Sequence, residues 1–319
     1  MFVSPLSVCI FGAAFLTLGN CRCQTDSPDA PIPEQWKQTL PQAWDNTVIR
    51  SLRESPTRNL TGYAWTLDQV MDGKGTINVC MRWDSNETVT ETMREQILAE
   101  YTKIYGYWFQ WLSGYDNFPF SQVNFNVVGW AVRDQNILQG SLSSFDTYTN
   151  FSDESGFPTC NPACAYHNNL DGDYSECPGG PEQRYHQFFF LDQGFWGDHN
   201  MGAASGDGID VSLYGWKTVG SKMDDWPILV HEMGHTFGFL DYLDDGTTNP
   251  SVCDNVWIPP NSPSEFVMKP SDYGAHVPKV TEFEGWLLRY FWSRFSRLRG
   301  WQNTNTTYPP PPECPSDSS

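Results

Sequence analysis

The chain has 319 residues and a formal net charge of −19, from 38 acidic and 19 basic residues. This balance excludes a nucleic-acid-binding protein, because phosphate contacts need clustered Lys and Arg. A hydrophobic fraction of 39% and an aromatic fraction of 15% exclude a disordered acidic chain, so we expect one large domain or two small ones around a sizeable core.

The N-terminal segment has the pattern of a targeting signal. Residues 5–19 are apolar and uncharged, and small and polar residues follow up to Cys23. This pattern predicts a secretory signal peptide at residues 1–23, and the alternative is a single-span membrane anchor. No later run is long enough to cross a bilayer, so we expect a secreted, extracellular protein that is not held in a membrane after cleavage.

The cysteine count favours export. Cleavage would remove Cys9, Cys21 and Cys23 from the nine cysteines and leave six. The six that remain are Cys80, Cys160, Cys164, Cys177, Cys253 and Cys314. They predict three disulfides in an oxidising compartment, and spacing leaves all fifteen pairings open. A zinc knuckle at the cysteines between 160 and 177 is the alternative, which the acidic exported context disfavours.

Four acceptor triplets for N-glycosylation lie beyond the proposed cleavage point. They begin at Asn59, Asn86, Asn150 and Asn305. Each triplet alone is a weak signal, since such tripeptides arise by chance, but together they agree with export and predict a glycoprotein.

The mature chain divides into three parts. Residues 24–75 start with a polar, Pro-rich stretch and continue with helix-like segments broken at Pro41 and Pro56. They form an N-terminal extension or a pro-segment, and the sequence leaves both open. Residues 76–300 are expected to form the main domain, and residues 301–319, with Pro309 to Pro312, a linker-like tail.

Hydrophobic periodicity predicts the elements of the main domain. Strands are predicted at residues 76–83, 123–127, 187–191 and 209–214, the last of them half-buried at a sheet edge. Two helices are predicted from capping boxes and helical spacing, one starting at Thr88 and Glu91 and one at Thr281 and Glu284. The aromatic residues on the first helix are interpreted as core.

Residues 140–186 are rich in Ser, Asn, Gly and Pro and predict a long loop. A loop of this length requires disulfides to staple it. Asp171 and Asp173 suggest a structural Ca²⁺ ion, but the other ligands of a recognised calcium loop are missing. A solvated turn is therefore the favoured interpretation.

Residues 231–241 read HEMGHTFGFLD and contain the candidate metal-binding and catalytic residues. Acidic residues and Pro227 predict a helix start just before them. On a helix, His231 and His235 lie one turn apart on one face, so that both imidazoles can bind one divalent ion. Glu232 lies beside that ion, where a carboxylate can accept a proton from an activated water.

Gly238 is expected to end this helix, because Gly readily adopts a left-handed backbone. The chain can then turn back and bring Asp241 to the metal as a third ligand. Two imidazoles, one carboxylate and an open position are typical of a catalytic zinc site. The alternative third ligand is a downstream Glu, as in thermolysin-like enzymes, and Glu265, Glu282 and Glu284 are the candidates.

These residues resemble the HExxHxxGxx pattern of the metzincin clan of zinc endopeptidases, in which a third ligand follows. Asp241, where most members carry His, is similar to the ligand of snapalysin-type secreted microbial proteases. Residues 195–198 and 284–289 are also similar to segments of secreted fungal proteins with this motif. The resemblance covers residues 76–300 and implies an α+β fold with a mixed twisted sheet, a long helix, a zinc-binding helix, a Met turn and a C-terminal helix.

The resemblance also implies roles downstream of the motif. Met268, within the segment 264–270, is the candidate for the Met turn beneath the metal. Tyr273 is a candidate to stabilise the transition state, although packing is the commoner role of such a tyrosine. His199 and His276 are candidates for extra histidines of the site, and a surface position is the favoured interpretation of each.

Together these patterns predict a secreted zinc endopeptidase with one catalytic Zn²⁺ ion, Glu232 as general base, and a protein or peptide substrate. We expect a monomer that binds no nucleic acid. The alternative is a secreted carbohydrate- or protein-binding module with a vestigial zinc site, which the high aromatic content favours. The predicted core positions of most aromatics and the intact Glu232 argue against that alternative.

Overall fold

The computed structural model describes residues 31–54, 65–194, 196–197, 199–221, 226–242, 266–269 and 280–301, with the backbone alone for 49–54. These residues form an α+β protein, in which helices pack against a mixed sheet. None of the helices in these ranges has the length and apolar character needed to span a bilayer. The predicted signal peptide, and the predicted tail beyond Trp301, lie outside the described residues.

A six-stranded sheet forms the centre of the fold. Its strands are β1 (Thr76–Asp84), β2 (Asn124–Val132), β3 (Asp146–Tyr148), β4 (Gln187–Asp192), β5 (Gly202–Ser205) and β6 (Gly208–Ser212). They lie in the order β3-β2-β1-β4-β6-β5, and all neighbours are parallel except β5, which runs antiparallel to β6. Within the described residues, β5 is therefore one edge of the sheet.

Sequence patterns predict β1, β2, β4 and β6. The prediction that residues 209–214 lie at an edge is wrong, because β6 pairs with β4 on one side and with β5 on the other. β3, which lies inside the predicted loop, and β5 are both missed. The Gly, Ala, Ala and Ser of β5 lack the β-branched and aromatic side chains that mark a strand. Pairing with β6, rather than local propensity, makes this segment a strand.

Six helices accompany the sheet in the described part of the chain. They are α1 (Thr39–Glu54), α2 (Thr66–Asp72), α3 (Glu91–Phe109), α4 (Leu213–Gly215), α5 (Pro227–Thr236) and α6 (Glu282–Leu298). α3 is the predicted long helix between the first two strands, and α5 carries the two histidines. α6 begins with the predicted capping box, in which the side chains of Thr281 and Glu284 each accept from the other residue's backbone N–H.

The predicted capping box at the start of α3 is wrong. Thr90, not Thr88, caps the helix, because the Thr90 Oγ1 atom accepts from the backbone N–H of Met93. The reason lies outside the helix. Val89 forms a parallel bridge with Leu138, which keeps the chain extended until the residue before the cap. A tertiary contact thus moves the helix start by two residues relative to the local signal.

Aromatic side chains fill the core between the sheet and the helices. Tyr101 packs against Phe189 of β4, with ring centroids 4.7 Å apart, and Tyr105 stacks on Phe125 of β2 at 4.8 Å. Further along α3, Trp108 is fully buried and donates from its indole nitrogen to the backbone oxygen of residue 230 in α5. The aromatic residues of α3 therefore form core, as their helical spacing predicts.

Two disulfides fasten the long loop over the other face of the sheet. Cys80 of β1 is bonded to Cys160, and Cys164 is bonded to Cys177 within the loop. These bonds exclude the zinc knuckle at the same cysteines, because a disulfide sulfur is not available as a thiolate ligand. Cys253 and Cys314 lie outside the described residues.

A buried ion cluster ties the same loop to the strands. The Arg82 guanidinium in β1 contacts Asp153 of the loop at 2.6 Å, Asp192 of β4 at 2.8 Å and Asp210 of β6 at 2.7 Å. It also lies 3.8 Å from the ring centroid of Phe190. The single positive charge of the fully buried Arg82 thus offsets part of the negative charge of three carboxylates.

The two N-terminal helices belong to the same core. Trp44 of α1 packs edge-on against Phe291 and Phe295 of α6, at centroid distances of 4.9 and 5.4 Å. Asp68 of α2 forms a 2.6 Å ion pair with Arg299, just beyond the end of α6. Residues before β1 therefore cover the last helix of the domain.

Candidate metal centre

The helix α5 begins at a proline, and a glycine lies just beyond its last residue. Trp226 is its N-cap, and Pro227 occupies the first turn, where a missing N–H costs nothing. Gly238 follows the last turn with φ of 95°, a left-handed conformation that side chains disfavour. The chain reverses there and brings Asp241 back beside the helix. The glycine thus has the place that the sequence predicts for it.

His231 and His235 face each other on one side of α5. Their Nε2 atoms lie 3.2 Å apart, and their rings are perpendicular. The Nδ1 atoms each lie 2.7 Å from a carbonyl oxygen, that of Val267 for His231 and that of Phe239 for His235. Because a carbonyl only accepts, each Nδ1 carries a proton. In the neutral imidazole, each Nε2 therefore presents a lone pair to the space between the rings.

Asp241 adds a third acceptor to this space. Its Oδ1 atom lies 3.1 Å from His231 Nε2 and 3.3 Å from His235 Nε2. Ligand atoms of Glu232 and the two histidines all lie within 4.8 Å of one another. Elsewhere in the described ranges, no group of three His, Cys, Asp or Glu side chains is close enough to hold a metal ion. Asp171 and Asp173 are among the described residues and belong to no such group.

The charges of the metal-free site are strongly coupled. Burial opposes a charge on His235, but the hydrogen bond to Asp241 and the charge of Glu232 outweigh it and raise the pKa of His235 to about 9. Burial also raises the pKa of Glu232, while the nearby histidines lower it in part. Although burial opposes its charge too, the hydrogen bonds from both histidines hold the pKa of Asp241 well below its usual range. A proton on His235 therefore supplies positive charge in the absence of a metal.

The short segment 266–269 braces two of these side chains. The carbonyl oxygen of Val267 accepts from His231, as described above. The carbonyl oxygen of Met268 accepts from the backbone N–H of Tyr242, the neighbour of Asp241, at 2.7 Å. In turn, the backbone N–H of Met268 donates to Glu284 Oε1 at 2.8 Å. One segment thus holds His231 directly and Asp241 through its neighbour.

Met268 itself packs beneath α5. Its side chain is fully buried, and its Sδ atom lies so close to Gly234 that a Cβ at that position would overlap with it. The helix can approach the sulfur because residue 234 has no side chain. Met268 therefore packs against the histidine helix at Gly234, the residue before His235.

The candidate ligands further along the chain lie elsewhere or outside the described residues. Glu284 is fully buried, and its carboxylate accepts from Met268 and from Thr281; burial raises the pKa of Glu284 to about 7. Glu282 is exposed in the first turn of α6. His199 is exposed, as predicted. Glu265, Tyr273 and His276 lie outside the described residues.

A buried polar network lies behind the site. Gln187 of β4 accepts from the hydroxyls of Tyr101 and Tyr105 at 2.7 and 3.0 Å. Its amide nitrogen donates to Thr66 Oγ1 at 2.8 Å, and Thr66 donates to Thr236 Oγ1 in the last turn of α5 at 2.8 Å. Sequence periodicity cannot reveal such a network, because its members come from α2, α3, β4 and α5.

Gly202, the first residue of β5, is a further site residue that the sequence does not mark. An ideal Cβ at this position would lie 2.9 Å from Glu232 Cγ and 3.0 Å from Glu232 Oε1. The edge strand thus runs directly beside the carboxylate.

Comparison with known proteins finds no counterpart: no family model, no curated protein and no solved structure matches the chain.

Proposed function

We propose that the protein is a secreted zinc endopeptidase of the metzincin type. The observation that carries the proposal is the spacing of His231 Nε2, His235 Nε2 and Asp241 Oδ1, which lie 3.1–3.3 Å apart. Atoms bound about 2.0–2.2 Å from a tetrahedral zinc ion lie about 3.3–3.6 Å from one another. The observed spacing is close to that value, so these three atoms could bind one zinc ion with little rearrangement.

The surroundings of the three atoms support the same proposal. Both imidazoles donate their Nδ1 protons to backbone carbonyls, which fixes the tautomer and the ring orientation that a metal ligand needs. Two imidazoles and one carboxylate leave a fourth tetrahedral position for water or substrate. A zinc ion bound there acts as a Lewis acid and lowers the pKa of water.

Glu232 supplies the acid–base chemistry in this proposal. Its carboxylate is buried beside the histidines, and burial raises its pKa, which makes it a better proton acceptor. It accepts a proton from the attacking water and passes that proton to the leaving amine. A binding module needs no buried carboxylate at this position, and Tyr214 is the one aromatic among the exposed large hydrophobic side chains of the described residues. Both observations favour an enzyme over a sugar-binding module.

The edge strand β5 is the proposed binding site for an extended substrate. Ser212 N donates to Met201 O at 2.9 Å, so the backbone polar groups of Met201 and of alternate residues point towards β6. The N–H and C=O groups of Gly202 and Ala204 therefore point outwards. An extended peptide can add to this edge through main-chain hydrogen bonds, next to Glu232. Residues 209–212 of β6 are not open to such a peptide, because β6 is paired on both sides.

The order of elements also agrees with a metzincin. A strand, a long helix, further strands, the histidine helix, a buried Met packed against that helix and a final helix follow one another in the chain. This is the order that the resemblance implies, and it supports the assignment of Met268 to the Met turn.

The proposal is tested with Glu232→Gln, which removes the proton acceptor and retains the size of the side chain. We expect the parent to cleave casein in a chelator-sensitive reaction. The variant should bind one zinc ion per chain and lose about 10²–10⁴-fold in kcat, the usual contribution of a positioned general base. Glu282→Gln, the same change at an exposed glutamate of α6, should match the parent.

Two results would contradict the proposal. One is a Glu232→Gln variant that retains zinc and cleaves at the parent rate. The other is a folded, zinc-loaded parent that cleaves no member of a peptide library, which would favour the binding module.

A further inference from the structure

We propose that Gly202 is a positioning residue for the Glu232 carboxylate, an inference that rests on the proposed function. Besides the two contacts with Glu232, an ideal Cβ at this position would lie 3.0 Å from Val211 Cγ1. Distances this short to a Cβ require one of the partners to move. The hydrogen atom of Gly202 therefore sets how closely the edge strand approaches the general base.

The residues after Gly202 pair with β6, and the two residues before it are also held in place. Asn200 Oδ1 accepts from the indole N–H of Trp226 at 3.2 Å, and Trp226 is the N-cap of α5. Met201 O accepts from Ser212 of β6. The strand is thus tied to the helix that carries Glu232 and, one residue later, to the sheet. An added methyl group at residue 202 could not be accommodated by a shift of the strand alone.

The helix α5 is also held in place by buried residues on its core side. Met233 and Thr236 are fully buried, and the Thr236 hydroxyl belongs to the polar network of Thr66 and Gln187. Glu232 is 3% exposed, so its carboxylate is enclosed as well. The element with most freedom to respond to a methyl group is the Glu232 side chain, whose torsions can rotate. A methyl group would therefore displace the carboxylate from its place beside the histidines.

The kinetic test uses Gly202→Ala, with Gly106→Ala as the matched control. Gly106 lies in α3, has ordinary helical geometry, and has open space where a Cβ would be added. A displacement of about 1 Å can cost on the order of 10²-fold in rate. We expect Gly202→Ala to lose about 10–100-fold in kcat on a peptide substrate, by the same argument. Its KM should stay within a factor of about three of the parent, because main-chain pairing at the edge is retained.

The control variant should keep both constants, and both variants should bind one zinc ion per chain. Gly202→Ala with the kcat of the parent would overturn the proposal. So would a loss carried by KM alone, which would indicate that residue 202 only contacts substrate.

A second test needs no activity. In a Glu232→Ala background, Cγ and the carboxylate are absent, so a methyl group at residue 202 meets one neighbour fewer. We expect Gly202→Ala to lower the Tm of the parent by about 3 °C or more, since a forced shift of buried atoms lowers the Tm of a domain of this size by a few degrees. In the Glu232→Ala background, Gly202→Ala should lower the Tm by clearly less. Gly106→Ala should change the Tm by the same amount in the parent and in the Glu232→Ala background.

The two tests separate the positioning role from the proposed function. An inactive parent would contradict the endopeptidase, but the Tm comparison would still decide whether residue 202 acts on residue 232. If Gly202→Ala does not fold, the double variant with Glu232→Ala should fold. Failure of the double variant, or an equal Tm loss in both backgrounds, would overturn the proposal, because the contact with Val211 would then dominate.

Discussion

Thr66 donates a 2.8 Å hydrogen bond to Thr236, and both side chains are fully buried. The bond joins α2, which precedes the first strand, to the last turn of the helix that carries both histidines. Gln187 donates to the same Thr66 oxygen, so that one hydroxyl connects a helix, a strand and the metal-site helix. We therefore expect α2 to remain in the active protein, even if residues further upstream are removed.

The first prediction concerns this hydroxyl. Thr66→Val keeps the shape of the side chain but leaves the buried amide N–H of Gln187 without its acceptor, while the hydroxyl of Thr236 still donates to the carbonyl oxygen of Met233. Leaving buried polar groups unsatisfied costs about 1–3 kcal/mol, so the free energy of unfolding should fall by about that amount in a urea titration. Thr92→Val, at an exposed position of α3, is the control and should change the free energy by less than about 0.5 kcal/mol. Equal values for the two variants would show that the network contributes nothing.

The second prediction separates the candidate ligands. Asp241→Ala removes one of the three proposed ligand atoms. Loss of a residue that only supports a ligand weakens metal binding by about 10–100-fold, so we expect this variant to lose more zinc affinity than that. Glu284→Gln should retain zinc, because this carboxylate holds the Met268 backbone and the helix cap instead. Metal content after dialysis measures both. Zinc retained by the first variant and lost by the second would transfer the ligand role to Glu284.

The third prediction concerns protons released by the metal. His235 has a pKa of about 9 in the metal-free site, so it is protonated at neutral pH. A metal ion must displace that proton to reach Nε2. The apparent zinc affinity should therefore rise with pH, by up to about tenfold per unit, and level off above about pH 9. Calorimetry in buffers of different ionisation enthalpy counts the protons, and an affinity independent of pH between 6 and 8 would disagree with this charge state.

The fourth prediction concerns pH and stability. Burial raises the pKa of Asp210 to about 7, although Arg82 lowers it in part and Asp192 adds to the rise. The folded state then binds more protons than the unfolded state between about pH 4 and 7, so this group makes the protein less stable as the pH rises through that window. The slope is at most about 1.4 kcal/mol per pH unit for one proton.

Asp210→Asn should remove this contribution and flatten the fall of the unfolding free energy between pH 5 and 7. Glu154→Gln, an exposed acid in the same loop as Asp153, is the control and should retain the slope of the parent. If Asp210→Asn also retains the parent slope, Asp210 is ionised throughout this range in the folded state.

Local signals predict the elements that depend on local chemistry. Gly238 terminates the helical conformation just after α5, because few residues other than Gly adopt the left-handed backbone of this position. Thr281 and Glu284 cap α6 through hydrogen bonds between residues three apart. The spacing of His231 and His235 likewise fixes their common face. All of these depend on residues within one or two helical turns of each other, so the sequence is sufficient to predict them.

Long-range contacts decide the features that sequence patterns miss. Thr90 replaces Thr88 as the cap because Val89 pairs with a residue far along the chain. β5 is a strand because β6 lies beside it, and its small residues carry no signal of their own. The proposed role of Gly202 depends on its contact with Glu232, which is distant in sequence and adjacent in space. Periodicity cannot reveal partners of this kind.

The contact between Met268 and Gly234 has a consequence for the response to oxidants. Conversion of the thioether to a sulfoxide adds a polar oxygen, and the packed space beneath α5 has no room for it. Peroxide can then attack this sulfur only in molecules whose segment 266–269 has swung away from the helix. The rate at which peroxide oxidises Met268 should therefore report how often segment 266–269 moves away from α5.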